Sequence, residues 1–486
     1  MTNAETITIS KKEYAEMKSE LADLKFRLSE LNRLIFGAKS ERFVAVDPQQ
    51  MSLFEVAAEE KTKKQTEQIS YTRSKKEDKK QPIRTELPAH LPRKVEVIEP
   101  ENLPENAKKI GETITEVLDY QPADLFVRQI VRPKYIISST DEKTEIVIAQ
   151  LPSLPIAKGN AGTGLISQIL ISKFVDHLPF YRQIQIFKRQ NVNLAESTLN
   201  GWFNAGCRIL EPLFEVLKQK LLSTDYLMAD ETPISVLTKD KPGSTHKGYH
   251  WVYYDPVNKL AVFDYRKTRG REGPDEMLKS FSGHLQTDGY VAYTKLENHE
   301  NIVLLACMAH ARRKFEHALN NDYDRATFAL KLIQSLYAIE QKARDNDFDY
   351  QQIKELRQSE SVPLLKQFEQ WLKKEIYNVL PQSAIGKAIS YTLNLRERLE
   401  SYTKDGRFQI DNNLIENSIR PVALGRKNYL FAGSHEAAQQ AAMMYSLLAC
   451  CKINNIEPFN WLKNTLTQIQ DYPANKIHEL LPINLL

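Results

Sequence analysis

Cysteine is scarce in this chain. Its 486 residues include four, Cys207, Cys307, Cys450 and Cys451. None forms a C-x-x-C pair, so no disulfide framework is expected and a reducing compartment fits. Cys450 and Cys451 are adjacent and read as packing residues of a helix. Long hydrophobic runs are also missing. The longest, IVLLACMA at 302–309, is far short of the roughly 20 apolar residues of a membrane span. The opening MTNAETITISKKEY lacks the charged-then-apolar layout of a secretory leader. Neither sign of charge dominates: 66 Lys and Arg against 62 Asp and Glu leave a net charge of +4. That balance permits a nucleic-acid partner without arguing for one, so local clustering has to carry that case. These absences predict a cytoplasmic protein with no membrane partner.

The remainder is 42% hydrophobic and 26% charged, a globular composition. The length is too great for one ordinary core, so several domains are expected. In the segment 8–45, Tyr14, Met17, Leu21, Leu24, Leu28, Leu31 and Ile35 alternate spacings of three and four. This is the a/d seam of a leucine-zipper-like coiled coil, and it predicts a homo-oligomer. A lone amphipathic helix packed on its own domain is the alternative. Gly37 should break the helix, with Arg33, Lys39 and Arg42 supplying positive charge beside the break. Residues 57–82 are Lys-, Glu- and Gln-rich with almost no large apolar groups and read as a disordered linker. Short β-rich pieces such as VEVIEP and TEIVIAQLP predict a small β module over 84–155.

From 161 to 222 the spacing becomes helical. GLISQILISKFVDHL predicts one helix. PFYRQIQIFKRQ predicts another, opened by Pro179 in its permitted first-turn place. The string from Ala195 to Leu222 predicts a third and a fourth. Two helices, a short turn and a helix from Ala195 resemble a helix-turn-helix, which contacts DNA; a plain helical connector reads equally well. Then come YLMADETPISVL, GYHWVYYDP and KLAVFDYR, the helix-like PDEMLKSF, HLQTDGY, and a strand feeding a helix in NIVLLACMAHARRKFEHAL. That is the order of a ribonuclease H-like α/β domain over 223–435. Residues 317–405 read as a helical insertion in it, with breaks near Pro363 and Pro381. A C-terminal helical extension fills 436–486.

Asp230 in MADET and Asp288 in QTDGY each follow an apolar, β-branched-rich run. Glu416 sits in DNNLIENSIRP, which has helical spacing. A carboxylate at the end of a central strand is held rigidly, as a metal ligand must be. Each also has a plainer reading. Asp230 precedes Thr232-Pro233 as turn residues do, Asp288-Gly289 is a hairpin signal, and Asn413-x-x-Glu416 has capping-box spacing with Asn413 as N-cap. Asn413, Glu416 and Arg420 lie at i, i+3 and i+7 on one helix face, with Ile415, Ile419 and Val422 on another.

Three carboxylates suffice for two Mg²⁺ ions, one aspartate bridging and one further carboxylate for each, and Mn²⁺ can substitute. Such a pair stabilises both the attacking and leaving oxygens of a phosphoryl transfer. Arg312, Arg313 and Lys314 on one side, and Arg420, Arg426 and Lys427 on the other, would hold DNA phosphates. A solvated charged face is the alternative. His310 would orient water or phosphate, or cap a strand end.

LNRLIFGAKSERF, LPAHLPRKVEVIEP, ISKFVDHLPFYRQ, MADETP, QTDGY, CMAHARRKF, DNNLIENSIRPVALGRKNYLFAGS and HELLPIN resemble the transposases of the insertion-sequence 66 family. The resemblance runs over nearly the whole chain. It implies a DDE-type transposase with a ribonuclease H-like core, acting on element ends and target DNA, with helper proteins as possible partners. By that match Asp230, Asp288 and Glu416 take the catalytic triad positions. The family usually carries two cysteine pairs as a zinc module after the linker. Here the stretches read NLPENAKKIGE and KYIISSTDEKTE, so no zinc is expected. A ribonuclease H-fold nuclease or resolvase that never joins, and a non-catalytic DNA-binding regulator, are the rival readings.

Overall fold

The computed structural model describes residues 87–483, apart from 101–106, 122–123, 139–143, 158, 239–242 and 299–300. The heptad segment 8–45 and the linker 57–82 lie outside the described residues.

The first sheet contains β1 (Arg93–Val97), β2 (Lys108–Gln121), β3 (Asp124–Ser138) and β4 (Thr144–Ile148). β2 and β3 form a long antiparallel pair, with Leu118 opposite Val127. β1 runs parallel to β3 from Val127 to Val131, and β4 antiparallel to it from Lys134 to Ser138. Strand alternation splits the sheet's apolar residues between two faces. Val117 and Ile130 pack with Leu154. Leu118, Leu125 and Val127 join the main core, so the module is not a free-standing unit. The next helix is tied in by Asp119, whose carboxylate accepts the Gly164 backbone N–H at 3.1 Å. A side chain on Gly164 would place its Cβ 2.2 Å from the Tyr120 carbonyl oxygen, so this close approach demands glycine.

Three helices follow: α1 (Thr163–Phe174), α2 (Phe180–Arg189) and α3 (Glu196–Leu222). The expected third and fourth helices are one 27-residue helix that runs through Pro212. Its buried residues Leu199, Phe203, Leu210, Leu213, Leu217 and Leu221 form an unbroken stripe. Pro212 lies on the exposed side. Burial of the stripe outweighs the one backbone hydrogen bond that proline removes.

The central sheet contains β5 (Tyr226–Leu237), β6 (Thr245–Asp255), β7 (Leu260–Arg266), β8 (Gly283–Thr287) and β9 (Ile302–Ala306), with α4 (Glu272–Met277) and α5 (Val291–Thr294) between them. The strand order is β7-β6-β5-β8-β9. β5, β6 and β7 are antiparallel, while β5, β8 and β9 are parallel. Trp251 on β6 is fully buried and meets Tyr293 edge-on at 5.6 Å.

After β9 come α6 (Met308–Ala318) and the helical insertion: α7 (Tyr323–Asp345), α8 (Tyr350–Leu356), α9 (Val362–Glu375), α10 (Ala384–Asn394) and α11 (Arg396–Glu400). The break expected near Pro363 is absent: α8 passes through a π-helical turn, Arg357–Ser361, straight into α9, and Pro363 follows that turn. The insertion is pinned by Arg357, 2% exposed, which donates to both Glu340 oxygens at 2.8 and 2.6 Å and to the Tyr402 and Asp405 carbonyls. Next come α12 (Asn413–Asn428), α13 (His435–Ile453) and α14 (Pro458–Gln468), followed by a 3-10 helix at Ala474–Leu480. α13 covers the edge strand β7: the Phe263 and Ala261 backbone N–H groups donate to Ser446 Oγ at 2.8 Å and Cys450 Sγ at 3.3 Å. Cys450 and Cys451 are both buried on that helix, the packing role expected of them. No helix among the described residues is long and apolar enough to cross a membrane.

Candidate active site

Asp230 is not at a strand end and not in a turn. It is the fifth residue of the 12-residue β5 and pairs with Val252 of β6. Pairing with β8 stops at Met228, and β5 is next bridged only at Val236, by Ala432, so the stretch between is open on one side. That open side is what admits Pro233 within a strand. Asp288 follows the end of β8. Its carboxylate accepts the Tyr290 backbone N–H at 2.8 Å, and Gly289 takes φ +83°. The turn leads into α5 rather than back as a hairpin. Met228 is paired with Gln286, so Asp230 and Asp288 stand two residues beyond that pair on adjacent parallel strands. Such strands run about 4.8 Å apart.

Glu416 approaches from α12. The segment before this helix docks at the end of β9: the Met308 N–H donates to the Ile410 carbonyl at 3.0 Å, and the Asn412 N–H to Cys307 Sγ at 3.2 Å. The helix starts one residue earlier than the capping-box reading requires. Asn412 is the N-cap and makes no side-chain cap. Asn413 instead turns back to Asp411, which accepts its backbone N–H at 3.0 Å and its amide at 2.8 Å. Glu416 therefore lies in the first turn without a capping duty. Arg313 of α6 donates to its carboxylate at 3.5 Å.

The electrostatics join these groups. The Asp230 carboxyl is pushed well above the ordinary carboxylate range. Burial is the largest cause, and the charges of Glu231, Asp288 and Glu416 add to it. Glu231 is raised by burial, opposed by its bond to Arg269 and raised further by Asp288. Arg269 donates to Glu231 through Nε at 2.7 Å and lies 3.9 Å from the centroid of the Tyr290 ring. One guanidinium thus links β5 to the turn that carries Asp288. From the insertion, the Tyr391 hydroxyl donates to the Asp288 carbonyl at 2.8 Å. Oxygen donors are what a hard divalent cation prefers, and a cation would offset the crowded negative charge. The carboxylates are coupled in charge rather than drawn into a closed shell: among the described residues no three His, Cys, Asp or Glu side chains are grouped to hold a metal ion.

The other residues singled out from sequence divide into several groups. His310, half-buried, is in the first turn of α6. Arg312 pairs with Glu316 one turn on, at 2.7 Å. Arg420 and Lys427 are exposed and fall four and eleven residues past Glu416, on its own helix stripe. Arg426 is turned away from that stripe and donates to the Pro233 carbonyl at 2.5 Å. Sequence reading missed Glu231, Arg269 and Tyr391. Glu231 adjoins Asp230 in MADET, so the double carboxylate was a usable signal. Nothing local marks Arg269 or Tyr391, whose parts depend on partners far away in the chain.

The chain is a mixed α/β protein with carboxylates collected at one end of its central sheet. A family model described as Transposase IS66 family matches residues 158–440. Two others, Transposase C of IS166 homeodomain and IS66 C-terminal element, match 23–95 and 446–483. The chain belongs to the IS66 family of transposases. It is similar to the uncharacterized protein y4qI of Sinorhizobium fredii, at 33% identity over 96% of this chain and 89% of that one. The uncharacterized protein y4jD of the same organism is 31% identical over 96% of each chain. No solved structure matches the chain significantly.

Proposed function

We propose that this protein cleaves DNA at the ends of an insertion sequence and joins the freed ends to target DNA, on a ribonuclease H-like core. The observation that carries the reading is the matched position of Asp230 and Asp288 on adjacent parallel strands, coupled in charge to Glu416 of α12. Three antiparallel strands continued by two parallel ones, in the order β7-β6-β5-β8-β9, support the fold.

Asp230, Asp288 and Glu416 would hold Mg²⁺, or Mn²⁺ in its place. When bound, such ions lower the pKa of water and offset charge on phosphate oxygens. β5, the turn after β8 and α12 hold the carboxylates on separate rigid elements. Arg269 and Tyr391 set the turn that carries Asp288. Arg313 keeps Glu416 toward the sheet, and Arg420 and Lys427 continue the same stripe as phosphate contacts. In the first reaction a water oxygen bonds to phosphorus, the bond from phosphorus to the 3′ oxygen breaks, and that oxygen leaves as a 3′-hydroxyl. In the second, this hydroxyl bonds to a target phosphorus and displaces the target's own 3′ oxygen. The segment 8–45 would pair two copies so that both ends are held, and α2 with α3 would serve as a helix-turn-helix on DNA.

The test is incubation of the purified protein with DNA carrying the element's own ends and Mg²⁺. Nicking followed by joining is expected, and both should vanish in Asp288→Asn and Glu416→Gln. Nicking that never proceeds to joining would select a nuclease or resolvase. Metal-independent binding with no cleavage would select a regulator.

A further inference from the structure

A cavity of about 360 Å³ opens between the last turn of α1, the start of α3, the end of α12 and the start of α13. Two cations line it, Lys173 and Arg426. Lys173 lies among aromatic rings, its Nζ 4.1 Å from the centroid of Phe180 and 5.0 Å from that of Tyr429. Among the described residues no carboxylate pairs with either cation. Burial lowers the Lys173 pKa to about 8, and burial lowers that of Arg426 as well. The thiol of Cys207 near Lys173 is itself pushed up by burial and stays neutral. Glu436, the acidic residue on the lining, is exposed.

Lys173 and Arg426 are both half-buried, and positive charge partly withdrawn from water without a counter-ion carries a cost that an arriving anion offsets. The first turn of α13, a 19-residue helix, borders the same lining; Ser434 Oγ caps it by accepting the Ala437 N–H at 3.1 Å, and the positive end of the helix dipole faces that side. An aromatic ring is also on offer. Phe431 lines the cavity and is 45% exposed, with no ring partner among the described residues. The volume falls within the range of about 300–1,000 Å³ usual for small-ligand sites.

We propose that this cavity is a nucleotide site, with the phosphoryl group between Lys173, Arg426 and the N-terminus of α13 and the base against Phe431. The nucleotide is either part of a DNA strand or free. The phosphate chemistry stands by itself, and only the DNA source rests on the function proposed above. Arg426 lies ten residues past Glu416, about 15 Å along α12.

Calorimetric titration of the full chain with dAMP, inorganic phosphate and a short single-stranded oligonucleotide, without Mg²⁺, tests the site. Lys173→Met should weaken each ligand by about tenfold or more and should raise the melting temperature, because a half-buried cation without a carboxylate partner is removed. Phe431→Ala, at an exposed position that does not threaten folding, should weaken dAMP and leave inorganic phosphate unchanged. Displacement of dAMP by the oligonucleotide assigns the site to a DNA strand. dAMP that binds and is not displaced assigns it to a free nucleotide. The proposal is overturned if no ligand binds the wild type, or if binding is the same in Lys173→Met. A lowered melting temperature with unchanged binding would make Lys173 a purely structural cation. Asp230→Asn should bind dAMP normally, so a failure of cleavage and a failure of this site are told apart.

Discussion

Asp230 and Asp288 each lie two residues beyond Met228 and Gln286, the last residues paired between parallel strands β5 and β8. Their charges meet at the carboxyl end of the sheet, where β5 has lost its neighbour on that side. Asp230 pays for this position with a carboxyl held well above its ordinary pKa.

That shift gives a pH prediction. The folded pKa lies above the unfolded value, so the folded protein holds the proton more tightly. In metal-free protein, stability should therefore fall as pH rises from about 4 toward the raised pKa of Asp230, and level off above it. Asp230→Asn should remove that part of the pH dependence and raise the melting temperature at pH 8 while abolishing cleavage. Mg²⁺ competes with the proton, so it should stabilise the wild type more at pH 8 than at pH 5. Thermal melts across pH, with and without Mg²⁺, provide the check; an Asn variant melting below the wild type at pH 8 would contradict it.

Tyr391 is the insertion's hand on the site. Tyr391→Phe deletes the 2.8 Å bond to the Asp288 carbonyl and should cost about 0.5–1.5 kcal/mol in stability. Cleavage rate should fall further than DNA affinity, because the change moves a carboxylate rather than a DNA contact. Single-turnover rates set beside equilibrium binding would show it, and equal losses in both would refute the positioning role.

Arg357 and Glu340 are buried together within the helical insertion. Arg357→Ala would leave Glu340 buried without its partner and strip the Tyr402 and Asp405 carbonyls of their donor. A loss of about 3–5 kcal/mol is expected. In denaturant titration, a loss below about 1 kcal/mol would mean that water replaces the guanidinium cheaply.

The heptad seam offers a test on the segment outside the described residues. About three heptads are marginal for a coiled coil, and burying one leucine contributes roughly 1.5–3 kcal/mol. Leu24→Lys with Leu28→Lys should lower the oligomeric state seen by light scattering and reduce joining more than nicking. The melt of the catalytic unit should stay as it was. Unchanged mass and unchanged joining would make the seam an intradomain packing face.

The sequence by itself determined the element order. Apolar, β-branched-rich runs became strands of the central sheet, the stretch of helical spacing became α1, α2 and α3, the C-terminal extension became α13 and α14, and the carboxylates stand out because each follows or opens such a run. These are local properties, set by side-chain spacing and backbone propensity. Boundaries were less legible. Ala195–Leu222 reads as two helices, yet one buried stripe carries α3 through Pro212. Asn413 reads as a cap, yet Asp411 claims it and α12 begins at Asn413 itself, with Asn412 as N-cap.

Only the tertiary structure decided which side chains meet. The register of β5 on β8 set Asp230 level with Asp288, and the docking of Ile410–Asn412 on Cys307 and Met308 brought in Glu416. Arg269 reached Glu231 across the sheet, and Arg426, read as a phosphate contact, turned to Pro233 and the Lys173 cavity. Such contacts join residues tens to hundreds of positions apart. The free energy that selects them comes from packing whole elements together, which no local spacing encodes.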